Sequence, residues 1–308
     1  MEVRKEGLDW AELTEEERNR IIDSCLDQVS ADYGNTVLKS SARNEYMLER
    51  TRRILRRTVW ALQEQLKHGA FRPEGFEVRF QGGRIDRVDI MEEPENNRVY
   101  VKVIDYKTGN TSFDLLALYH GLQLQLMVYL DGALQVEKRK YPDREIVPAG
   151  VFYYNVKDPM IQEKIHADME SINEQMLKKM KMNGLVQADD NMSTKIDSTM
   201  ASIPVSLNRD GSFSKRSSVA SRKQFDVLGA YVRRKICDIR DRSWMEMRQW
   251  NPMNLEKKNA CTYCPYLTVC GFDRKIPGYE FHRLSSIGED ALWKKIMKGE
   301  EENGSEMD

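Results

Sequence analysis

The chain has 308 residues with 48 Lys and Arg against 49 Asp and Glu, a net charge of −1; the length allows one large domain or two modest ones, and the total charge announces no nucleic-acid partner. A charged content of 31% and a mean hydropathy of −0.65 come with no apolar run approaching a helical membrane span, and MEVRKEGLDWAELTEEER lacks the cationic-then-apolar order of a signal peptide, so a cytoplasmic protein is expected. The charge is unevenly placed: residues 1–32 hold ten acids against four bases and residues 300–308 five acids and no base, which leaves 33–299 at +10.

Residues 1–34 read as an acidic helical segment. From Asn35 to about His68, Val37, Leu38, Tyr46, Met47, Ile54, Leu55, Val59, Ala61, Leu62 and Leu66 recur at helical spacing, and Gly69 and Pro73 stop the helix. Arginines 43, 50, 52, 53, 56 and 57 fill its gaps, either as contacts to a DNA backbone or as a solvated face partly neutralised by Glu45, Glu49 and Glu64. Phe76, Val78 and Phe80 alternate with charges, Gly82-Gly83 turns the chain, and Arg84 to Ile90 returns as the second strand of a hairpin. After the turn-rich MEEPENN, Arg98 to Ile104 is a third strand, apolar on both faces and therefore central. Ser112 or Thr111 caps a helix from Phe113 to about Glu137, and GVFYYNV (150–156) is a fourth strand. Ile161, Ile165, Met169, Ile172, Met176 and Met180 make a long amphipathic helix whose methionines read as core. The texture then turns polar: 183–224 is expected to be a mobile excursion or small hairpin turning at LNRDGSF, 225–299 helices and a cysteine cluster, and 300–308 a disordered acidic tail.

The strongest chemical constellation is GGRIDRVD (82–89) followed by VIDYKTG (103–109). Residues two apart in a strand share a face, so Asp105 and Lys107 point to one side and Tyr106 to the other. With the hairpin beside the central strand, Asp86 comes close to that pair. Two carboxylates alone repel and raise one another's pKa, a conflict that a divalent cation resolves; Mg²⁺ suits hard oxygen ligands and keeps several waters, one of which, deprotonated near Lys107, could attack a phosphodiester. Gln125 and Tyr129 are four apart on the next helix and share a face. No G-x-x-x-x-G-K-(S/T) loop is present, so no ATPase is expected in this chain.

Of the five cysteines, three crowd together as Cys261, Cys264 and Cys270, which in a reducing compartment reads as metal ligation before disulfides. Zinc is one reading, with His282 completing a Cys₃His set. Cys237 is either a substitute ligand or, better, a packed helix residue. His120 and His166 lie on helical patterns and read as packing or surface residues.

G-x-I-D-x-V-D, I-D-Y-K-T-G and Q-x-x-x-Y resemble the RecB-type branch of the PD-(D/E)XK nuclease superfamily. The phrases RILRRTVWALQEQL, FRPEGFEV, VKVIDYKTGNTSFDL, YHGLQLQLMVYL, PAGVFYYNVKDPM, CTYCPYLTVCGFD and PGYEFHRL, across about Trp10 to Leu284, resemble the C-terminal nuclease region of the AddB family. The resemblance implies an α/β restriction-endonuclease-like core at 35–182, of order α-β-β-β-α-β, with a central mixed sheet flanked by helices and a helical C-terminal extension. It implies Asp86, Asp105 and the Tyr106 carbonyl as ligands of Mg²⁺ or Mn²⁺, Lys107 as the catalytic lysine, Gln125 and Tyr129 beside the active site and DNA, and Cys261, Cys264 and Cys270 as three of four ligands of a 4Fe-4S cluster. The family's metal-assisting histidine and first cluster cysteine lie upstream of the matched region, and Cys25 does not replace the latter, so an excised domain with weak metal binding and a labile or absent cluster is expected. The implied function is exonucleolytic degradation of the 5′-terminated strand unwound by an AddAB-type helicase-nuclease in double-strand-break repair, with single-stranded DNA and an AddA-type subunit as partners. The alternative is a DNA-binding or structural module, catalytically impaired as excised.

Overall fold

A strand without a polar face has to lie inside a sheet buried on both sides, and RVYVKVIDYK does. The computed structural model describes residues 2–33, 37–161, 168–245, 252–255, 258–262 and 264–304. It divides into two units, Met1–Ser112 with Gly132–Arg222 and Phe113–Asp131 with Lys223–Asp308. The first unit holds a six-stranded mixed sheet of β1 (Arg72–Phe80), β2 (Gly83–Glu93), β3 (Arg98–Lys107), β4 (Glu145–Asn155), β5 (Asn183–Gln187) and β6 (Val219–Ala220), in that spatial order. β3 pairs antiparallel with β2 and parallel with β4. Seven of its ten residues, Val99 to Asp105, are buried.

The N-terminal segment contributes α1 (Glu2–Lys5) and α2 (Glu15–Asp32), the latter opened by a capping box in which Thr14 Oγ1 accepts from Glu17 N–H and the Glu17 carboxylate accepts from Thr14 N–H. α3 (Ala42–Lys67) is capped by Ser41 and ends at His68. Its Ala61 and Leu62 pack with Met91, Tyr100, Ile104, Phe152 and Tyr154 of the sheet and with Met176 of α6 (Met169–Lys179) in one core cluster. The α3 arginines are largely engaged within the protein. Arg52 reaches Asp23 at 3.1 Å and Asp27 at 2.8 Å, Arg56 pairs with Asp23, and Arg53 and Arg57 both pair with Asp158. Arg43 and Arg50 are exposed. The solvated, neutralised face is therefore the better description of this helix, and its main counter-charges come from α2 and from beyond β4.

Several elements differ from their sequence patterns. The helix expected over 113–137 is two, α4 (Leu115–Tyr119) and α5 (Gln125–Lys140), because Gly121 at φ 82° takes the left-handed conformation that ends α4. Asp114, not Ser112 or Thr111, caps α4 by accepting from Ala117 N–H at 3.0 Å. The methionine helix starts at Met169, where Asp168 accepts from Ser171 N–H; Ile165 and His166 lie outside the described residues.

The stretch 183–224, expected as a mobile excursion or small hairpin, is built into the sheet and core as β5, α7 (Met192–Ile196) and β6 and buries Val186, Ile196, Ile203 and Val205, while LNRDGSF does turn the chain, with Leu207 and Phe213 in an antiparallel bridge. In the fold Gly184 lies so close to β4 that a Cβ would come within 1.9 Å of the Val151 carbonyl oxygen. The core of 35–182 is thus interrupted by 113–131 and completed by 183–222.

The second unit contains α4, the start of α5, most of α8 (Arg222–Met245), a three-stranded sheet of β7 (Met253–Leu255), β8 (Lys258–Asn259) and β9 (His282–Arg283), and α9 (Glu289–Gly304). Tyr231 of α8 stacks on Tyr119 at 5.6 Å and donates its hydroxyl to the Tyr119 carbonyl at 2.7 Å. α9 carries the acidic run expected as a disordered tail through Gly304; residues 305–308 lie outside the described residues. Among the described residues no helix is long and apolar enough to cross a membrane.

Behind the end of β3 lies a buried ionic network. Arg87 donates to Asp89 through Nε at 2.6 Å and Nη2 at 2.9 Å, and Lys102 Nζ stands 3.1 Å from Asp89 Oδ2. Burial alone would raise the Asp89 carboxyl, but Arg87 and Lys102 overcome it and hold it below the ordinary carboxylate range. Asp89→Ala strands two buried cations and should lower unfolding stability at pH 7 by about 3–5 kcal/mol in urea titrations. A depressed carboxyl stabilises the fold above its unfolded pKa of about 3.9 and loses that contribution as pH falls through its lower folded value. The deficit of the variant should therefore persist across neutral pH and narrow only below about pH 4.

Candidate active site

The β2–β3 ladder runs from the pair Glu93 and Arg98 down to Arg87 and Ile104. One step further Asp86 faces Asp105, and there the connection is made by a side chain: Tyr106 N–H donates to Asp86 Oδ2 at 2.8 Å. Pleating puts Asp105 and Lys107 on one face of β3 and Tyr106 on the other. The Tyr106 ring packs edge-on to Tyr154 at 6.0 Å, and its hydroxyl accepts from Arg87 Nη1 at 3.4 Å. In the parallel register with β4, Asp105 lies beside Tyr153 and Lys107 beside Asn155. Lys107 Nζ rests 5.5 Å above the Tyr153 ring, a cation–π contact that steadies a flexible side chain.

The Asp105 side chain is 3% exposed. Lys107 Nζ stands 2.6 Å from its Oδ2, a close ion pair to a carboxylate oxygen sealed from solvent. A carboxylate oxygen carries two lone pairs, so beside Lys107 this one has capacity for a further partner. Burial raises the Asp105 carboxyl above its ordinary range, Lys107 opposes this, and the neighbouring Asp86 adds to it. A buried carboxylate facing a second carboxylate is a pair that can hold a hard divalent cation. Among the described residues no group of three or more His, Cys, Asp or Glu side chains is arranged to hold a metal, so further protein ligation at this pair would have to come from a backbone carbonyl such as that of Tyr106.

Gln125 and Tyr129 lie one turn apart on α5, and Gln125 Nε2 donates to the Tyr129 hydroxyl at 2.8 Å. They belong to the second unit. Cys261, Cys264 and Cys270 are free thiols of that unit, and burial, followed by the neighbouring Cys270 and Cys264, raises the Cys261 thiol above its usual value. They do not make a three-ligand group among the described residues, with or without His282 of β9, and Cys237 is an exposed residue of α8. Cys25 packs with Val3, Leu13 and Ile21. His120 Nε2 meets the Ser285 carbonyl at 3.0 Å, a packing role.

Tyr153, Asn155 and the network of Arg87, Asp89 and Lys102 complete the surroundings and were not singled out by motif. A signal for the network is present: charges at alternate positions of otherwise apolar strands, as in RIDRVDI and RVYVKVI, have to find one another when buried.

Residues 4–271 match the PD-(D/E)XK nuclease superfamily. The chain is 38% identical, over 97% of its length, to the B subunit of the ATP-dependent helicase/deoxyribonuclease of Lachnoclostridium phytofermentans, of which the match covers 27%. Proteins of the same description from Thermoanaerobacter sp. and Clostridium acetobutylicum are 31% and 32% identical over 99% of this chain and 28% of their own. The chain thus spans little more than a quarter of the length of these curated relatives.

The strain at Asp105 makes a testable demand. A carboxyl whose folded pKa is raised favours the fold below its unfolded pKa and loses that favour as pH rises through the folded value. In cation-free buffer Asp105→Asn should therefore raise the stability of the protein at neutral pH by about 1 kcal/mol, an advantage that disappears as pH falls toward about 3.9. Thermal melts of both proteins between pH 4 and 8 measure it; a variant less stable than wild type at pH 7 would contradict the assigned strain.

Proposed function

Because the chain belongs to the PD-(D/E)XK nuclease superfamily, we propose that Asp86, Asp105 and Lys107 form a divalent-cation-dependent site that hydrolyses DNA phosphodiesters. The observation that carries this reading is the buried Asp105 carboxylate, with Lys107 Nζ 2.6 Å from its Oδ2 and opposite the Asp86 carboxylate fixed on Tyr106 N–H. These residues fit Mg²⁺ or Mn²⁺: two carboxylates and the Tyr106 carbonyl offer hard oxygens, and their small number suits an ion that keeps several waters. When bound, the cation supplies Lewis-acid polarisation of the phosphoryl oxygen and a lowered pKa for water.

The remaining work belongs to the chain. Asp86 and Asp105 orient the site through a rigid strand pair, which keeps reorganisation during the reaction small. The Lys107 ammonium, steadied over Tyr153, holds the attacking water and stabilises negative charge developing on the phosphorane oxygens. Gln125 and Tyr129, linked by their own hydrogen bond, belong to the other unit, and no step is drawn through them. The resemblance would make Cys261, Cys264 and Cys270 three of the four thiolates of a 4Fe-4S cluster. The described residues do not fit that group as a complete set, so no step is drawn through it.

The relatives are named as helicase/deoxyribonuclease subunits. The site would accordingly serve as the exonuclease of an AddB-type subunit, acting with an AddA-type partner on a strand unwound during double-strand-break repair. Asp105→Ala and Lys107→Ala should each lower Mg²⁺-dependent cleavage of single-stranded DNA by about 10²- to 10³-fold. Undiminished cleavage by either variant would refute the assignment. Binding without cleavage by the unaltered chain in Mg²⁺ and in Mn²⁺ would favour the impaired DNA-binding module instead.

A further inference from the structure

The C-terminal ends of β3 and β4 open onto a cavity of about 530 Å³ within the first unit. Five of its lining residues are cations, Lys157, Lys178, Lys179, Lys181 and Arg216, and none is a carboxylate. Lys178 is paired with Glu174 and Lys179 with the Met160 carbonyl. Among the described residues no carboxylate forms an ion pair with Lys157, Lys181 or Arg216. Lys181 is half-buried, and that burial lowers its pKa while Asp197 opposes the shift. A concentration of like charge around a concave surface is costly for the folded protein alone and is relieved by an anion.

The cavity is joined to the proposed site by covalent and hydrogen-bonded backbone. Asn155 is the register neighbour of Lys107, and Val156 N–H donates to the Lys107 carbonyl at 2.8 Å. Asn155 also clamps the segment that leaves β3: its Oδ1 accepts from Thr111 N–H at 3.0 Å and its Nδ2 donates to the Thr111 carbonyl at 2.9 Å. The wall of the cavity therefore begins one strand spacing, about 4.8 Å, from Lys107.

Volume and chemistry together select the ligand. The cavity falls in the range of about 300–1,000 Å³ that holds an organic ligand rather than a lone ion. Its lining offers no aromatic ring on which a base could stack. Phosphates, not bases, are what it can grip. We propose that this cavity is a backbone-binding groove for single-stranded DNA, in which Lys157, Lys181 and Arg216 hold phosphates of the strand next to the one presented to Asp105 and Lys107. The proposal rests on the nuclease reading of that site and adds to it a sequence-independent track for the same strand.

The test uses the full 308-residue chain, a fluorescent 20-nucleotide oligo-dT without terminal phosphate, and buffer containing EDTA, so that binding is read without cleavage. Lys157→Ala, Lys181→Ala and Arg216→Ala should each weaken binding by about fivefold and flatten the dependence of log affinity on log salt by about 0.7 for each phosphate no longer held. Lys67→Ala, which removes a cation paired with Glu64 elsewhere, should leave the slope unchanged. Lys181→Arg should restore it, which separates a missing charge from a damaged fold. Unchanged slopes in all three groove variants would overturn the proposal. So would losses confined to duplex DNA, or losses seen only with an oligonucleotide carrying a terminal phosphate. These binding readouts are independent of cleavage, so failure of the groove and failure of the Asp105 site are distinguishable.

Discussion

The hydrogen bond from Tyr106 N–H to the Asp86 carboxylate is the constraint on which the site depends. It continues the β2–β3 ladder after the regular strand pairing has ended, and it does so with a side chain that carries charge. Asp86 is thereby tied to the strand that bears Asp105 and Lys107. A slip of one residue would exchange Asp105 for Tyr106 on the site face. That slip is opposed because β3 is buried on both sides and paired on both edges. Apolar burial of the strand and placement of the carboxylates are consequently one event in folding.

Charge organises the rest at two depths. Behind the sheet, Arg87, Asp89 and Lys102 hold one another in an interior where none could stay charged alone, and Arg87 reaches on to the Tyr106 hydroxyl. At the surface, α2 and Asp158 absorb the arginines of α3 that most resemble a DNA-binding stripe. The basic middle of the chain is thus partly neutralised at its most arginine-rich helix. Cations without partners among the described carboxylates gather instead beside the ends of β3 and β4. An electrostatic surface is set by which charges remain unpaired after folding, and a net charge of −1 says nothing about that.

Local patterns resolved much of this molecule. The alternation of Phe76, Val78 and Phe80 and the glycines that follow specify the β1–β2 hairpin, and the capped arginine-rich helix lies over Ala42–Lys67. Patterns failed where one residue answers to two demands. Gly121 sits in an unbroken run of helical periodicity, yet its backbone angle ends α4. The texture turns polar from Asn183, yet Gly184 lies in β5 and is there because Val151 leaves no room for a Cβ. Periodicity records which face of an element is apolar; it does not record how near a neighbouring backbone will come.

By itself the sequence determined the central strand, the hairpin before it and the placing of Asp105 and Lys107 on one face of that strand with Asp86 on the hairpin beside it, because side chains two apart on a strand share a face whatever surrounds them. It also contained the family resemblance that residues 4–271 bear out. Tertiary structure alone decided which arginines are neutralised, how deeply the Asp105 carboxylate is buried beside Lys107, and that 183–222 completes the sheet. It also assembled the basic cavity from segments near residues 110, 156, 180, 205 and 216. Those outcomes depend on contacts between distant parts of the chain, where burial and close packing choose the partners and local spacing carries no record of the choice.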